Sequence, residues 1–122
     1  MRSFIVAGIL PAVLTPGACQ TGVLGTYDFG RAAVIGAAGE AAGVWTGASV
    51  RSGFAGDDLV VTYRPRLAPA AAEQAVYTAR YDQVAAPQTE CERVGADGVA
   101  LRVWVTYRCR TGVAPNYTLL VR

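Results

Sequence analysis

Hydrophobic and polar positions change period several times along the chain. From Val99 to Cys109 they alternate strictly, with Val99, Leu101, Val103, Val105, Tyr107 and Cys109 on one side. A period of two marks a strand with one buried face, so the pattern predicts a strand over 99–109. Leu59–Arg64 and Tyr117–Val121 are short runs of β-branched, aromatic and apolar residues, and each reads as a strand. Val44–Arg51 alternates too, with Val44, Thr46, Ala48 and Val50 on one face. The glycine-rich stretch Ser52–Asp57 between two of these runs predicts a turn. Residues 44–64 therefore read as a hairpin, ended by Pro65.

Two segments carry a different period. Gly39, Gly43 and Gly47 recur at every fourth residue, the small-residue spacing that lets helices approach closely. A helix over 34–48 thus competes with the strand over 44–51. Glycine is costly inside helices, which favours the strand from Val44 onward. Pro69 opens the clearest helical pattern, predicted over 69–84. Ala72, Val76 and Ala79 share one face, and Tyr77, Tyr81 and Val84 form an adjacent stripe. Proline suits a first helical turn, and Glu73 and Arg80 match the helix dipole. A short strand is expected at 91–94, with turns at Ala96-Asp97-Gly98 and at residues 114–116. The expected fold is α+β, a small antiparallel β-sheet with one main α-helix packed on one face.

Composition bounds the chemistry. The chain has 122 residues, and its 52% apolar and 16% charged content is that of a globular domain. All 11 basic residues are arginine, and the chain contains neither lysine nor histidine. Serine or cysteine catalysis with an imidazole base is excluded, as are histidine-containing zinc sites and Schiff-base chemistry. No catalytic residue, cofactor or metal site is expected. The net charge of +2 and the lack of a basic run argue against nucleic acid as a partner.

The first residues are Met-Arg-Ser, followed by the apolar run Phe4–Leu14. A basic start followed by a short apolar run has the form of an export signal, too short to span a bilayer. Residues 1–18 are read as signal peptide and 19–122 as a single small domain. Leu14-Thr15-Pro16-Gly17-Ala18-Cys19 resembles the processing site of bacterial lipoproteins. Gly17, Ala18 and Cys19 fit it, while Pro16 stands where that pattern carries an apolar residue. The resemblance implies acylation of Cys19, and Gln20 after it implies the outer membrane of a Gram-negative cell. It also leaves Cys91 and Cys109 to pair in an oxidising compartment. A tight hairpin at Asp97-Gly98 would hold those two cysteines roughly 17 Å out of register, so the pairing is preferred to that register.

Period-two alternation places Arg102, Trp104, Thr106, Arg108 and Arg110 on the other face of the strand that starts at Val99, taken over 99–110. Guanidinium groups around an indole suit carboxylates, phosphates or sugars. Arg102, Trp104, Arg108 and Arg110 are therefore the candidate binding residues, and Arg64 and Arg66 could extend their basic patch. A tryptophan under the 69–84 helix with arginine stems over its edge explains the same pattern. Asp57-Asp58 follows a turn glycine, Glu90 and Glu92 fall on one face by alternation, and Asn116 reads as a turn residue. The reading is a non-enzymatic envelope lipoprotein of the periplasm or outer membrane. It would act as a structural or binding module for an envelope protein or cell-wall component. A soluble secreted inhibitor or ligand-binding module without a lipid is the alternative.

Overall fold

The computed structural model describes residues 18–122; the signal segment expected over residues 1–18 lies, apart from Ala18, outside them. Eight elements follow in the order β1(Gln20–Tyr27), α1(Arg31–Ala42), β2(Gly47–Ser52), β3(Asp57–Tyr63), β4(Gln74–Ala79), α2(Pro87–Leu101), β5(Tyr107–Thr111) and β6(Tyr117–Val121). They form two three-stranded antiparallel sheets, ordered β1-β3-β2 and β4-β6-β5. The fold is α+β as expected, with two sheets and two helices where one of each was expected.

The second half repeats the first. Each is a strand, a helix and a hairpin, with the last strand in the centre of its sheet. Both first strands carry a bulge at the same place: Leu24 and Val76 are the residues skipped in the register, and both are buried. Both helices end on a residue with positive φ, Gly43 at 78° and Arg102 at 66°. After each cap, the next amide returns to a glycine carbonyl: Val44 to Gly39 at 3.0 Å and Val103 to Gly98 at 2.8 Å. Each chain then reaches a buried tryptophan. The indoles of Trp45 and Trp104 donate to Gly36 O and Gly95 O, nine residues back in both cases, at 2.9 Å.

The sequence reason is the motif Gly-Ala-x-Gly followed five residues later by Val-Trp, at 36–45 and again at 95–104. A Cβ at Gly39 would collide with the Trp45 ring, and one at Gly98 with the Trp104 ring. The glycines open a slot in each helix for its own indole, and that outweighs their helix cost. The two indoles meet between the halves, with centroids 6.2 Å apart and planes at 29°. Stacked aromatic pairs contribute about 1 kcal/mol beyond their buried area. Each helix also packs on the first strand of the other half, α1 on β4 and α2 on β1. The shared core holds Ile35, Leu59, Val61, Val94 and Leu119 around the indoles.

The hairpin over 44–64 and the final strand form where expected. The helix predicted over 69–84 does not: residues 74–79 are β4, and Pro69–Ala72 belong to the connection before it. The strands predicted at 91–94 and over 99–109 also give way. Cys91–Val94 and Val99–Leu101 lie in α2, and Asp97-Gly98 is helical. Pro87, expected beyond the end of a helix, starts one. The glycine-spaced segment resolves as helix to Ala42 and strand from Gly47.

Cys91 and Cys109 are bonded, with Cα atoms 6.2 Å apart. The bridge ties α2 to β5, which removes the register conflict because Cys91 is on no strand. Arg31 and Glu90, 59 residues apart, join the N-terminal turns of the two helices. Arg31 Nε and Nη2 each donate to one Glu90 oxygen at 2.9 Å, and the side chains are 11% and 10% exposed. Tyr77 adds a hydrogen bond to Glu90 at 3.1 Å. Glu90 is thus a buried partner, not a member of a solvated face with Glu92.

Candidate functional site: an arginine-lined cleft at the tryptophan pair

Both αL caps, the ends of β3 and β6 and the start of β4 gather at one end of the domain. A cleft of about 350 Å³ opens there. Its walls come from both halves: Val44, Trp45 and Thr46 on one side, Val103 and Trp104 on the other, with Val121 below. The equivalent amides of Thr46 and Val105 hold the two sides, donating to Thr62 O and Arg122 O at 2.8 Å each. The indoles back the cleft from beneath; each is 1% exposed.

The rim is basic. Arg64 and Arg66 flank Pro65 in the connection between halves, and Arg122 follows β6. The Arg66 amide donates to Arg102 O at 2.8 Å, which pins that connection against the cap of α2. Arg122 Nε donates to Ala70 O at 2.9 Å. Among the described residues none of Arg64, Arg66, Arg102 and Arg122 is in an ion pair, and no carboxylate side chain lines the cleft. Three guanidinium groups around a pocket with apolar walls can grip an anion through paired, directional hydrogen bonds.

Of the four residues predicted to share a face, Arg108 and Arg110 do so, while Arg102 and Trp104 lie elsewhere. Arg102 is the exposed αL cap of α2, whereas Trp104 is buried under Gly95 and Gly98. The strand that was to align them starts only at Tyr107, because the helix runs through Val99–Leu101. Arg108 and Arg110 sit on β5, and Arg108 is engaged by Glu73 at 2.6 and 2.9 Å. That pairing holds the Glu73 carboxyl below its ordinary value, the Arg108 hydrogen bonds being the main cause. Trp104 therefore offers no stacking surface, and Arg108 is not free. Arg102 does not line the cleft but lies next to it, its carbonyl accepting from the Arg66 amide; the lining arginines are Arg64, Arg66 and Arg122, the last not singled out from the sequence.

The remaining candidates have structural partners. Asp57 is buried and accepts the Gly30 amide at 3.0 Å, fixing the turn into α1, while its Oδ1 has no hydrogen-bond partner. Asp58 accepts from Thr26 Oγ1. Asn116 Oδ1 accepts the Tyr81 amide at 2.8 Å, at the turn that follows β4. Cys19 is exposed just before β1 and is free. Among the described residues, no cluster of three or more histidines, cysteines and carboxylates is placed to hold a metal ion. No described helix is long and apolar enough to cross a membrane. Comparison with protein-family models, with curated proteins and with solved structures finds no match for the chain.

Proposed function

We propose that this protein is a non-enzymatic binding module of the bacterial cell envelope, anchored by lipid on Cys19, whose cleft holds an anionic group. The observation that carries the binding reading is the trio Arg64, Arg66 and Arg122. They line one cleft, and none of them is in an ion pair among the described residues. Guanidinium groups at the mouth of one cleft offer several paired donors to a single anion. The cleft walls supply no side-chain carboxylate, histidine or lysine to move a proton, which favours binding over catalysis. The Cys91–Cys109 bond is compatible with export to an oxidising compartment.

The test is the intact mass of protein purified from a Gram-negative host, before and after reduction and alkylation, together with anion titrations of the same material. Acyl mass on Cys19, with no other alkylation until reduction, supports the anchor and the bridge together. Saturable binding of phosphate or a carboxylate that Arg64→Gln and Arg66→Gln abolish supports the cleft. Unacylated protein that still binds anions through the cleft favours the soluble alternative.

A further inference from the structure

Cys19 lies at the same end of the domain as the cleft. Gln20 pairs with Tyr63 across the first sheet. Cys19 therefore stands beside the Tyr63–Arg66 segment that walls the cleft. The basic side chains gather there too: exposed Arg64, Arg66, Arg102 and Arg122. The carboxylate side chains on that side are Glu73, already held by Arg108, and Glu40 in the last turn of α1. The opposite end carries Asp28, Asp57, Asp58, Asp82 and Glu90, interleaved with Arg31, Arg51, Arg80 and Arg93. Four arginines without an ion pair thus lie at the end of the domain that carries Cys19, against two carboxylate side chains. Leu67 is exposed in the same connection, directly after Arg66.

We infer that this end of the domain lies against the membrane, and that the cleft takes the phosphate of an anionic phospholipid headgroup. The inference deepens the binding reading above and relies on the Cys19 anchor for orientation. An acyl chain combined with a basic patch is a two-part membrane attachment, in which each part strengthens the other. Anionic headgroups attract basic residues within a Debye length of the surface. Arg64, Arg66 and Leu67 form a loop of charge beside an exposed apolar side chain, the composition that settles at a headgroup boundary. The cleft walls of Val44, Val103 and Val121 suit the glycerol and first methylenes behind a phosphate. The far end, where arginines and carboxylates offset one another, gains no comparable attraction to the same surface, so the orientation is one-sided.

The experiment uses full-length protein carrying Cys19→Ser, which removes acylation, and compares two vesicle populations by co-sedimentation. One contains phosphatidylglycerol and phosphatidylcholine in equal parts, the other phosphatidylcholine alone. Any apolar segment contributes to both, so their difference isolates the headgroup charge. The expected result is about tenfold tighter binding to the anionic vesicles, lost at high salt. Arg64→Gln/Arg66→Gln removes that preference, whereas Arg51→Gln/Arg80→Gln, at the opposite end, keeps it. Circular dichroism of both double variants checks that they fold. Equal binding to the two vesicle types overturns the inference, as does equal loss in both double variants. Cleft-dependent binding of inorganic phosphate without vesicle preference also overturns it, and leaves a small-anion site. Failure of the anchor shows separately, as a wild-type mass without acyl chains.

Discussion

The indoles of Trp45 and Trp104 occupy equivalent positions in the two halves and stack on each other, 6.2 Å between centroids. Each N–H is spent on a glycine carbonyl of its own helix. The pair is therefore the point at which two like units are joined, and it backs the cleft that lies between them. Residues of one half complete the other: Tyr63 Oη donates to Leu101 O at 2.8 Å, and Gln74 Nε2 donates to Ala42 O, the equivalent carbonyl of the first half.

The glycines beneath the indoles give the first prediction. Gly39→Ala or Gly98→Ala places a methyl in the space of a ring that is closed on all sides. Overpacking of this kind costs about 1–3 kcal/mol. Both variants should lower the urea midpoint, followed by tryptophan fluorescence. Gly47→Ala is the control, because a Cβ there meets only ordinary contacts, Thr62 at 3.9 Å. If Gly39→Ala and Gly98→Ala are no worse than Gly47→Ala, the slots are not what the glycines serve.

That slot explains why part of the fold was illegible in the sequence. Val99, Leu101, Val103 and Val105 alternate perfectly, yet the alternation crosses a helix end. Glycines at 95 and 98 and β-branched residues at 94 and 99 argue against helix on propensity alone. The tertiary requirement of Trp104 overrides that argument. The 69–84 helix failed for the converse reason. Its alanines favour a helix, but Val76, Tyr77 and Thr78 are taken up as a strand paired with β6. Propensity served well only where neighbours in sequence are also partners in space, as in the 44–64 hairpin. The repeated Gly-Ala-x-Gly and Val-Trp spacing was the available signal for two βαββ units. The four-residue interval of Gly39, Gly43 and Gly47 masks it, because that spacing alone points to a helix contact. At the site, the basic residues were visible, but Trp104 could not be known to face inward.

The second prediction concerns Arg31 and Glu90. Glu90→Gln leaves a nearly buried guanidinium without its counter-charge, and removing one partner of such a pair costs about 3 kcal/mol. Arg31→Glu/Glu90→Arg restores opposite charges at positions that are equivalent in the two halves. The double variant should regain at least half of the stability lost by Glu90→Gln, measured by urea unfolding. Failure to regain any would show that Tyr77 and the local packing fix which half carries which charge.

A third prediction uses the repeat directly. Cys91 and Cys109 correspond to Ala32 and Val50 of the first half; Cys109 pairs with Leu119 in its sheet as Val50 pairs with Leu59. Ala32→Cys/Val50→Cys should form a second disulfide on oxidation. Closing a loop of similar length contributes about 3 kcal/mol where geometry permits. Mass spectrometry after alkylation, with and without reduction, detects the bond, and the thermal midpoint reads its effect. Two thiols that stay alkylatable under oxidising conditions would mean that the halves diverge at this point.

The last prediction is a pH dependence. The Tyr27 and Tyr77 phenols are pushed far above their ordinary value. Burial is the first cause for both, with the hydrogen bond to Asp97 next for Tyr27 and the Glu90 charge next for Tyr77. Tyr63 is raised as well, by burial. A folded-state pKa above the unfolded one gives stability that is complete below the unfolded value, about 10. It is lost as pH rises beyond that, because only the unfolded chain releases the proton. With Tyr27 and Tyr77 both held protonated, the slope is about 2.7 kcal/mol per pH unit once free phenols are fully ionised. The free energy of unfolding should therefore be insensitive to these groups at neutral pH and fall steeply above pH 10. Tyr77→Phe removes one titrating group and should make the alkaline decline visibly shallower, whatever it costs at neutral pH. Tyrosinate absorbance gives an independent reading: unfolding at high pH should be accompanied by a step increase as the buried phenols ionise together. A smooth titration of all tyrosines before unfolding would show that Tyr27 and Tyr77 are open to solvent and would remove the argument.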